Sequence, residues 1–333
     1  MSIINDIEIK NFKSILQQKI EGCKRINVFV GPPNVGKSNI LEALCIPIAS
    51  AFRDNKKSLH DLFRMERSSD LFHENNDMEP AEIKINGNYR FDIKSRNPTI
   101  DGLQHSFFEH KDLKDIQFHI KKYQFKNDVL FNNNASYWNL EFPFGNNLPG
   151  ILSYNSPLVK IVSDLLDKTN IELLIDNESQ PNDFKTTENN VKMGRILLIK
   201  IAGSRVKLKI PYGLVADTLR RLIFYLAAIH SNKNSILLFE EPEANCYEPY
   251  IMEITNAIKN DENKNQFFIV THSQYVIDEL MRDKESRNDT NIYLVGLEKN
   301  ATKIKLLSAE ASKDAYQAGL NLFFNYETLW DEN

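Results

Sequence analysis

The stretch that decides the fold is GPPNVGKS, from Gly31 to Ser38, which directly follows the apolar run RINVFV at 25–30. It fits the pattern GxxxxGK[ST] at every fixed position. The next residues, NILEALCIPIASAF at 39–52, place apolar side chains at helical spacing. A buried strand, a glycine-rich turn and a helix are the context in which this pattern binds phosphates, because a helix N-terminus offers free N–H donors and partial positive charge. The sequence predicts a phosphate-binding loop; the alternative is a Gly/Pro turn that precedes a helix by chance.

The residues of this loop have distinct expected tasks. Lys37 is expected to reach the β- and γ-phosphates, and the hydroxyl of Ser38 to join the coordination shell of Mg²⁺. The expected ligands are therefore a nucleotide and Mg²⁺. The candidate nucleotide-binding residues are Gly31, Pro32, Pro33, Asn34, Val35, Gly36, Lys37, Ser38 and Asn39.

A second segment, ILLFEEPEAN at 236–245, carries three glutamates within four positions at the end of an apolar run. Carboxylates are costly to bury without partners, so the cluster needs a reason. A phosphate-loop nucleotide hydrolase uses carboxylates at the end of a second strand to hold magnesium and to orient the attacking water. We therefore expect Glu240 to be the magnesium-side carboxylate and Glu241 the catalytic base. The alternative is a solvated acidic turn after a core strand.

The sequence favours ATP over GTP because a guanine-reading motif is missing where a GTPase would carry it. A GTPase carries a guanine-reading motif similar to NKxD after the acidic segment, whereas NKNS at 232–235 lies before it and lacks the aspartate. ATP is therefore the expected nucleotide. A small-molecule kinase with a phosphate loop is a third interpretation, which the EPEA segment at 241–244 and the THS segment at 271–273 disfavour.

Composition indicates an ordinary globular protein of 333 residues, with 42% hydrophobic and 26% charged residues. Its three cysteines are widely spaced and form no CxxC, which favours a reducing compartment and argues against a structural zinc site. The N-terminus resembles no signal peptide, and no apolar run is long enough to span a bilayer. We expect a cytoplasmic protein without a membrane partner.

The net charge of −4 gives no general attraction to nucleic acid, so DNA binding would need a local patch. One basic cluster could serve, although it alternates with Asp and Asn and such clusters are more often solvated faces. Its members are Lys111, Lys114, Lys121, Lys122 and Lys126. DNA is therefore a possible partner that the net charge does not indicate.

Several segments resemble ABC-type ATPase heads of the RecF/SMC/OLD group, within the AAA-family ATPases, over nearly the whole chain. They are IEIKNFKSI at 7–15, the phosphate-binding loop, EPEAN at 241–245 and FIVTHSQYVIDEL at 268–280. The resemblance implies that Lys13 lies near the nucleotide and that His272 is the switch histidine, which senses the γ-phosphate. It also implies that 241–245 forms the end of Walker B and the D-loop, with Glu243 and Asn245 facing an oligomer partner. The alternatives are a solvated lysine and a strand-end histidine bonded to backbone.

The resemblance implies an α/β fold: a P-loop NTPase of the ABC-type head class, with a mostly parallel core sheet, an antiparallel β portion and a helical lobe. Buried strands each followed by a helix point to the same parallel core. We expect one ABC-type ATPase domain over 1–333. Its expected parts are a core lobe at 1–80 and 231–333, an antiparallel portion at about 81–130, and an inserted helical portion at about 131–230.

Two departures from the family pattern predict slow hydrolysis. Glu240 stands where the family has an aspartate, so its carboxylate reaches one methylene further. The signature LSGGQ is missing, and YGLVADT at 212–218 occupies the equivalent position. There we expect Asp217 or Thr218 to cap the following helix rather than to contact a phosphate. A Q-loop is not identified, although SLHDLFRMERSSDLF at 58–72 lies where one would be.

Two features of related ATPases, a heptad coiled coil and a TOPRIM nuclease motif, are not found in this sequence. About 190 residues separate the loop from Walker B and contain no heptads, and no DxD of a TOPRIM nuclease follows His272. Bare heads of this kind resemble the ATPase subunits of bacterial antiphage systems such as PARIS, Septu and retron-associated modules. The resemblance implies a homo-oligomeric sensor or switch for a separate nuclease or toxin effector. The alternatives are a RecF/SMC-like DNA-binding repair ATPase and a nucleotide-binding scaffold that does not hydrolyse.

Overall fold

The computed structural model describes the chain in two units. The described residues are 3–49, 59–95, 103–108, 119–131, 138–167, 171–176, 195–201 and 207–332. The first unit combines Met1–Lys122, Asn234–Glu241 and Asn265–Asn333, and the second combines Tyr123–Lys233 and Pro242–Lys264. The chain therefore crosses between the units several times, and the first unit is built from three separate segments.

Strands and helices alternate along much of the described chain. The strands are β1 (Ile7–Phe12), β2 (Ile15–Ile20), β3 (Ile26–Val30), β4 (Ala81–Ile85), β5 (Tyr89–Ser95), β6 (Leu103–Phe108), β7 (Ile120–Tyr123), β8 (Ile171–Asp176), β9 (Arg195–Ile201), β10 (Lys207–Pro211), β11 (Ile236–Glu240), β12 (Gln266–Val270), β13 (Thr290–Glu298) and β14 (Ala301–Leu307). The α-helices are α1 (Lys37–Ala43), α2 (Leu148–Tyr154), α3 (Ser156–Asp167), α4 (Asp217–Ser231), α5 (Glu248–Lys259), α6 (Gln274–Arg282), α7 (Lys284–Asn288), α8 (Ala309–Gln317) and α9 (Tyr326–Glu332).

A six-stranded sheet forms the core of the first unit, in the order β14-β13-β3-β12-β11-β7. β13, β3, β12 and β11 run parallel, and β14 closes one side antiparallel to β13. Every residue of INVFV in β3 and of QFFIV in β12 is buried, as expected for parallel strands covered on both faces. The ring of Phe29 stacks between Phe268 and Tyr293, at centroid distances of 6.5 and 5.1 Å.

Helix α1 follows β3 through the phosphate-binding loop and packs on β11 and β12. The apolar pattern predicts a helix that continues to residue 52, but α1 ends at Ala43 and a short 3-10 turn follows at Ile46–Ile48. Pro47 explains the early end, because proline has no N–H to donate and disfavours α-helical geometry in the residue before it. Residues 50–52 of the predicted helix lie outside the described part.

The second sheet of the first unit has the order β2-β1-β4-β5-β6 and is antiparallel throughout. Its β4 and β5 match the alternating pattern of EIKINGNYRFDIK at 82–94. The sequence grouped the alternating segment at 116–124 with these strands. In the structure β7 instead lies at the edge of the six-stranded sheet, beside β11.

The second unit contains the antiparallel sheet β10-β9-β8 and the helices α2 to α5. Helix α4 is its central element, since it packs against α2, α3 and α5. The predicted cap of α4 is wrong: Ala216 takes the N-cap position and no side chain caps the helix. Asp217 lies inside the first turn and pairs with Arg220, while the Thr218 hydroxyl donates to the carbonyl of Asn245 at 3.0 Å. A side chain within the first turn no longer has the geometry of an N-cap acceptor.

A membrane-spanning helix was not expected from the sequence. Within the ranges that the structure describes, none of the helices has both the length and the apolar character needed to cross a bilayer.

The stacked aromatic core predicts a strong dependence of stability on Phe268. We expect Phe268→Ala to lower the free energy of unfolding by about 3–5 kcal/mol, because its fully buried ring leaves a cavity. Phe324→Ala is the matched control: its ring is 91% exposed, so the change should stay within about 0.5 kcal/mol. Urea denaturation followed by circular dichroism measures both. Equal losses for the two variants would contradict this description of the core.

Candidate functional site

Three parallel strands end at one edge of the six-stranded sheet and place the predicted site residues there. Glu240 of β11 pairs with Val270 of β12, and Val270 pairs with Phe29 of β3. The loop at 31–38, the glutamates and His272 all follow directly after these strand ends. In parallel α/β sheets ligands bind at the carboxyl ends of the strands. Two sequence segments about 200 residues apart are thereby brought together at the edge where a ligand is expected.

The phosphate-binding loop is held closely by its neighbours. A Cβ atom at Gly31 would collide with the carbonyl oxygen of Val295, so only glycine allows this approach. Gly36 has φ 94°, and a Cβ there would collide with the hydroxyls of Ser14 and Thr302. The two glycines of the motif therefore serve packing and backbone conformation at once.

The ammonium group of Lys37 lies inside this loop. Lys37 is 5% exposed, and its Nζ donates to the carbonyls of Gly31 at 2.9 Å and Pro32 at 2.6 Å. Burial lowers its pKa to about 8, against the opposing influence of Glu241 and Glu240. A buried cation bonded to neutral carbonyls is suited to receive an anion, so this side chain fits a phosphate.

The hydroxyl of Ser38 and the carboxylate of Glu240 meet at the start of α1. Ser38 Oγ donates to Glu240 Oε1, and the guanidinium of Arg64 contacts the same oxygen. Burial works to raise the pKa of Glu240, but Ser38 and Arg64 together hold it below its usual range. The carboxylate is therefore ionised at neutral pH. A hydroxyl and an ionised carboxylate in contact form the kind of oxygen donor set that Mg²⁺ prefers.

A second carboxylate, Glu42, is fully buried one helical turn after Ser38. It forms an ion pair with Lys13, and its Oε1 lies 3.3 Å from Arg64 Nε and 3.7 Å from Lys122 Nζ. Three cations thus surround one carboxylate, which offsets the cost of burying it. Arg64 links the two carboxylates, because its side chain contacts both Glu42 and Glu240.

The side chain of Lys13 is mostly buried and contacts other groups of the protein. Its Nζ donates to the carbonyl of Arg64 at 2.6 Å besides pairing with Glu42. Burial lowers its pKa. Lys13 thus neutralises the buried carboxylate of Glu42 in α1, the helix that follows the phosphate-binding loop.

Glu241 and His272 face each other at the ends of neighbouring strands. Glu241 Oε1 lies 3.7 Å from His272 Nε2, and both side chains are partly exposed. Burial, followed by the charge of Lys37, lowers the pKa of His272, so the imidazole is neutral at neutral pH. Glu241 has φ 44°, an uncommon value for a residue other than glycine. Strained backbone of this kind clusters at functional sites, where the surrounding structure holds it in place.

The remaining predicted loop residues differ in exposure. Pro32, Pro33 and Asn34 are exposed, and Asn34 has φ 62°. Val35 is buried, and Asn39 Nδ2 donates to Ser14 Oγ at 2.7 Å. Of the loop, Gly31 and Pro32 contact the Lys37 ammonium through their carbonyls, while Asn39 bonds to the turn between β1 and β2.

Two other predicted groups do not present themselves as expected. Glu243 is 8% exposed and therefore buried in the second unit, rather than offered to an oligomer partner. In the basic cluster, Lys122 is 2% exposed and donates to the carbonyl of Leu62 at 2.9 Å, so it is no part of a surface patch. Lys126 lies over the ring of Phe144 at 3.5 Å. Lys111 and Lys114 lie outside the described residues.

Sequence reasoning missed Arg64 and Glu42. Arg64 lies in the segment 58–72, which contains no glutamine and matches no motif that would single out an arginine. Glu42 carried a usable signal, because it is a charged residue on the apolar face of the predicted helix, four positions after Ser38. Such a residue is buried only when it is paired.

Comparisons with curated proteins find two kinds of relative. An "ATP/GTP phosphatase" of Helicobacter pylori (strain ATCC 700392 / 26695) is 22% identical over 350 residues, covering 87% of this chain and 92% of that protein. The "DNA replication and repair protein RecF" of Thermoanaerobacter sp. (strain X514) is 32% identical over 138 residues, which cover 36% of this chain and 37% of that protein. The match to RecF thus spans little more than a third of either chain.

Solved structures of SMC heads share the fold. An SMC head bound to the C-winged helix domain of ScpA has a TM-score of 0.57 at 16% identity, covering 94% of this chain and all of that one. An SMC head domain with an extended coiled coil, bound to the C-terminal domain of ScpA derived from Pyrococcus furiosus, has a TM-score of 0.56 at 16% identity, covering 96% and 99%. The fold is that of an SMC-head-like P-loop ATPase of the α/β class, as the sequence predicted.

The family profile of the AAA ATPase domain matches residues 1–204, more than half of the chain. This match and the relatives above support the predicted ABC-type AAA ATPase. The chain belongs to the AAA ATPase domain family.

Proposed function

We propose that the protein binds ATP with Mg²⁺ at the edge formed by β3, β12 and β11, hydrolyses it slowly, and uses the cycle as a switch. The observation that carries this proposal is the hydrogen bond from Ser38 Oγ to Glu240 Oε1. This hydrogen bond joins the phosphate-binding loop to the acidic segment. It also brings together the hydroxyl and the carboxylate that are expected to be the magnesium ligands from this chain.

Each nearby side chain has a task in this proposal. Ser38 and Glu240 would hold Mg²⁺, which would supply positive charge that stabilises the phosphates during hydrolysis. Lys37 supplies the positive charge inside the loop, and α1 directs its free N–H groups toward the phosphates. Glu241 accepts the proton of the attacking water, and the neutral imidazole of His272, 3.7 Å away, holds that carboxylate and water in place.

Two features of the chain support slow turnover. Arg64 contacts the oxygen of Glu240 that the metal needs, so its guanidinium has to move before the metal binds. Helix α4 begins at Asp217, at the position that the resemblance assigns to the signature. That carboxylate is paired with Arg220, so the helix end presents neither the serine nor the glycine N–H groups of the signature to a phosphate brought there by a second copy. Both features favour a switch whose conformation depends on the bound nucleotide, rather than an enzyme that hydrolyses ATP rapidly.

The switch is proposed to work in a homo-oligomer that controls a separate nuclease or toxin effector during antiphage defence. The support for this step is the resemblance to stand-alone antiphage heads, together with SMC-head neighbours that were solved with a bound partner domain. A RecF-like role in DNA repair is the second candidate, and the 32% identity to RecF over 138 residues favours it.

The first prediction concerns nucleotide binding. We expect Lys37→Ala to weaken ATP binding by at least about tenfold, because charge-assisted hydrogen bonds to phosphate contribute about 1.5–3 kcal/mol. Isothermal titration calorimetry with ATP and Mg²⁺ measures the loss. Lys19→Ala, whose side chain is 60% exposed, is the control and should bind as the wild type does. Unchanged binding by Lys37→Ala would refute the assignment of the loop.

The second prediction separates binding from hydrolysis. We expect Glu241→Gln to bind ATP normally and to lower kcat by about 10²- to 10⁴-fold, the usual contribution of a general base. Phosphate release in single-turnover and steady-state assays measures the effect, with Glu310→Gln at an exposed position as the control. Wild-type turnover by Glu241→Gln would remove this residue from the catalytic role.

The third prediction distinguishes the two biological roles. In a host that carries the gene in its natural surroundings, we expect Lys37→Ala to abolish protection against phage in plaque assays, because the switch can no longer bind ATP. Survival after DNA damage should not change. The repair role predicts the opposite pattern: sensitivity to DNA damage and unchanged plaque numbers.

A further inference from the structure

The segment at 320–326 lies against the start of α6, two residues after His272. The side chain of Gln274 holds it from both sides: its Oε1 accepts from Leu322 N at 2.8 Å, and its Nε2 lies 3.5 Å from the carbonyl of Leu320. The same Nε2 donates to Asp278 at 2.7 Å, which fixes the amide within α6. The segment is therefore attached to the helix that His272 precedes.

A turn around Asn321 directs two neighbouring phenylalanines to different environments. Asn321 Oδ1 accepts from the backbone N–H groups of Phe323 and Phe324 at 2.9 and 3.1 Å. The ring of Phe323 stacks on the imidazole of His272, with a centroid distance of 6.2 Å and an interplanar angle of 27°. The ring of Phe324 is 91% exposed. The turn thus selects one of two adjacent rings for contact with the histidine.

The end of the segment is anchored beside the phosphate-binding loop. Tyr326 OH donates to the carbonyl of Val295 at 2.8 Å, and the Tyr326 ring stacks on Trp330 at 5.7 Å. The same Val295 carbonyl packs against Gly31, where no Cβ would fit. One short segment therefore touches both the strand end that carries His272 and the strand that supports the loop.

We infer that Phe323 is a positioning residue for His272: its ring holds the imidazole so that Nε2 faces Glu241. The inference rests on the proposed function, in which Glu241 and His272 act together. The imidazole torsion is broad and allows several ring orientations, so an exposed histidine needs a neighbour to fix one. Offset stacking against an aromatic ring provides that constraint on one face. Phe323 acts through the histidine in this inference.

The test compares Phe323→Ala, the conservative variant Phe323→Tyr and the adjacent control Phe324→Ala. The first readout is the NMR spectrum of the histidine ring protons in protein without nucleotide, with His272→Gln used to assign the His272 signals. An aromatic ring held at a fixed position beside a histidine changes the chemical shifts of its ring protons. We expect this shift in the wild type, Phe323→Tyr and Phe324→Ala, and its loss in Phe323→Ala. The same shift in Phe323→Ala would overturn the contact.

The second readout is kinetic and tests whether the contact matters. We expect Phe323→Ala to lower kcat about tenfold with unchanged KM for ATP, since a misplaced group near the reaction costs up to about 100-fold. Phe323→Tyr should restore kcat, and Phe324→Ala should match the wild type. Unchanged kcat in Phe323→Ala, or a loss that Phe323→Tyr does not restore, would overturn the positioning role.

The two readouts separate this inference from the proposed function. A wild-type protein that binds no ATP and hydrolyses none refutes the proposed function, and the positioning role fails with it. A wild type that hydrolyses ATP, with Phe323→Ala indistinguishable from it, refutes the positioning role alone. A thermal unfolding curve for Phe323→Ala close to that of Phe324→Ala shows that lost activity is not lost folding.

Discussion

The parallel register of three strands is the constraint on which the candidate site depends. β11 pairs with β12 and β12 with β3, so the chain leaves all three strands at one edge of the sheet. Because these strands are apolar and buried, the polar groups that follow them are concentrated at that edge. A shift of β11 against β12 would separate Glu241 from His272 and Glu240 from Ser38. The positions of the site residues therefore depend first on how the strands pair and only then on the individual side chains.

Charge balance is the second constraint. Lys37 and Glu42 are buried, and Glu240 is mostly so, and each would be costly without compensation. The structure pairs Glu42 with Lys13, Lys122 and Arg64, and Glu240 with Arg64 and Ser38, whereas Lys37 is left with carbonyl oxygens. The positive charge best suited to a phosphate is therefore the one held inside the loop. Arg64 offsets the negative charges of Glu42 and Glu240, and a bound metal ion would offset the charge of Glu240 in its place.

Sequence alone predicted much of this arrangement for a physical reason. His272 follows only from the family resemblance, whereas the GxxxxGK[ST] pattern, the buried strands and the acidic strand end are local features with short-range geometry, from which Lys37, Ser38 and Glu240 could be named. Arg64 and Phe323 could not, because each acts through a contact between segments with no shared pattern. Helix α1 was predicted too long because the apolar spacing outweighed the stop signal of Pro47. The predicted N-cap of α4 was also wrong, because the Asp217 side chain accepts a hydrogen bond from Asn127, a partner that lies far away in the sequence.

The central claim is that Ser38 and Glu240 together hold the metal. Electron paramagnetic resonance with Mn²⁺ in place of Mg²⁺ tests it directly, because free Mn²⁺ gives a sharp signal that broadens on binding. The wild type should broaden the Mn²⁺ spectrum beyond that of Mn²⁺ with ATP alone, and Ser38→Ala and Glu240→Ala should each bind the Mn²⁺·ATP complex at least about tenfold more weakly, because each removes one oxygen ligand, a hydroxyl or a carboxylate. Mn²⁺ binding by Glu240→Ala that matches the wild type would contradict the account.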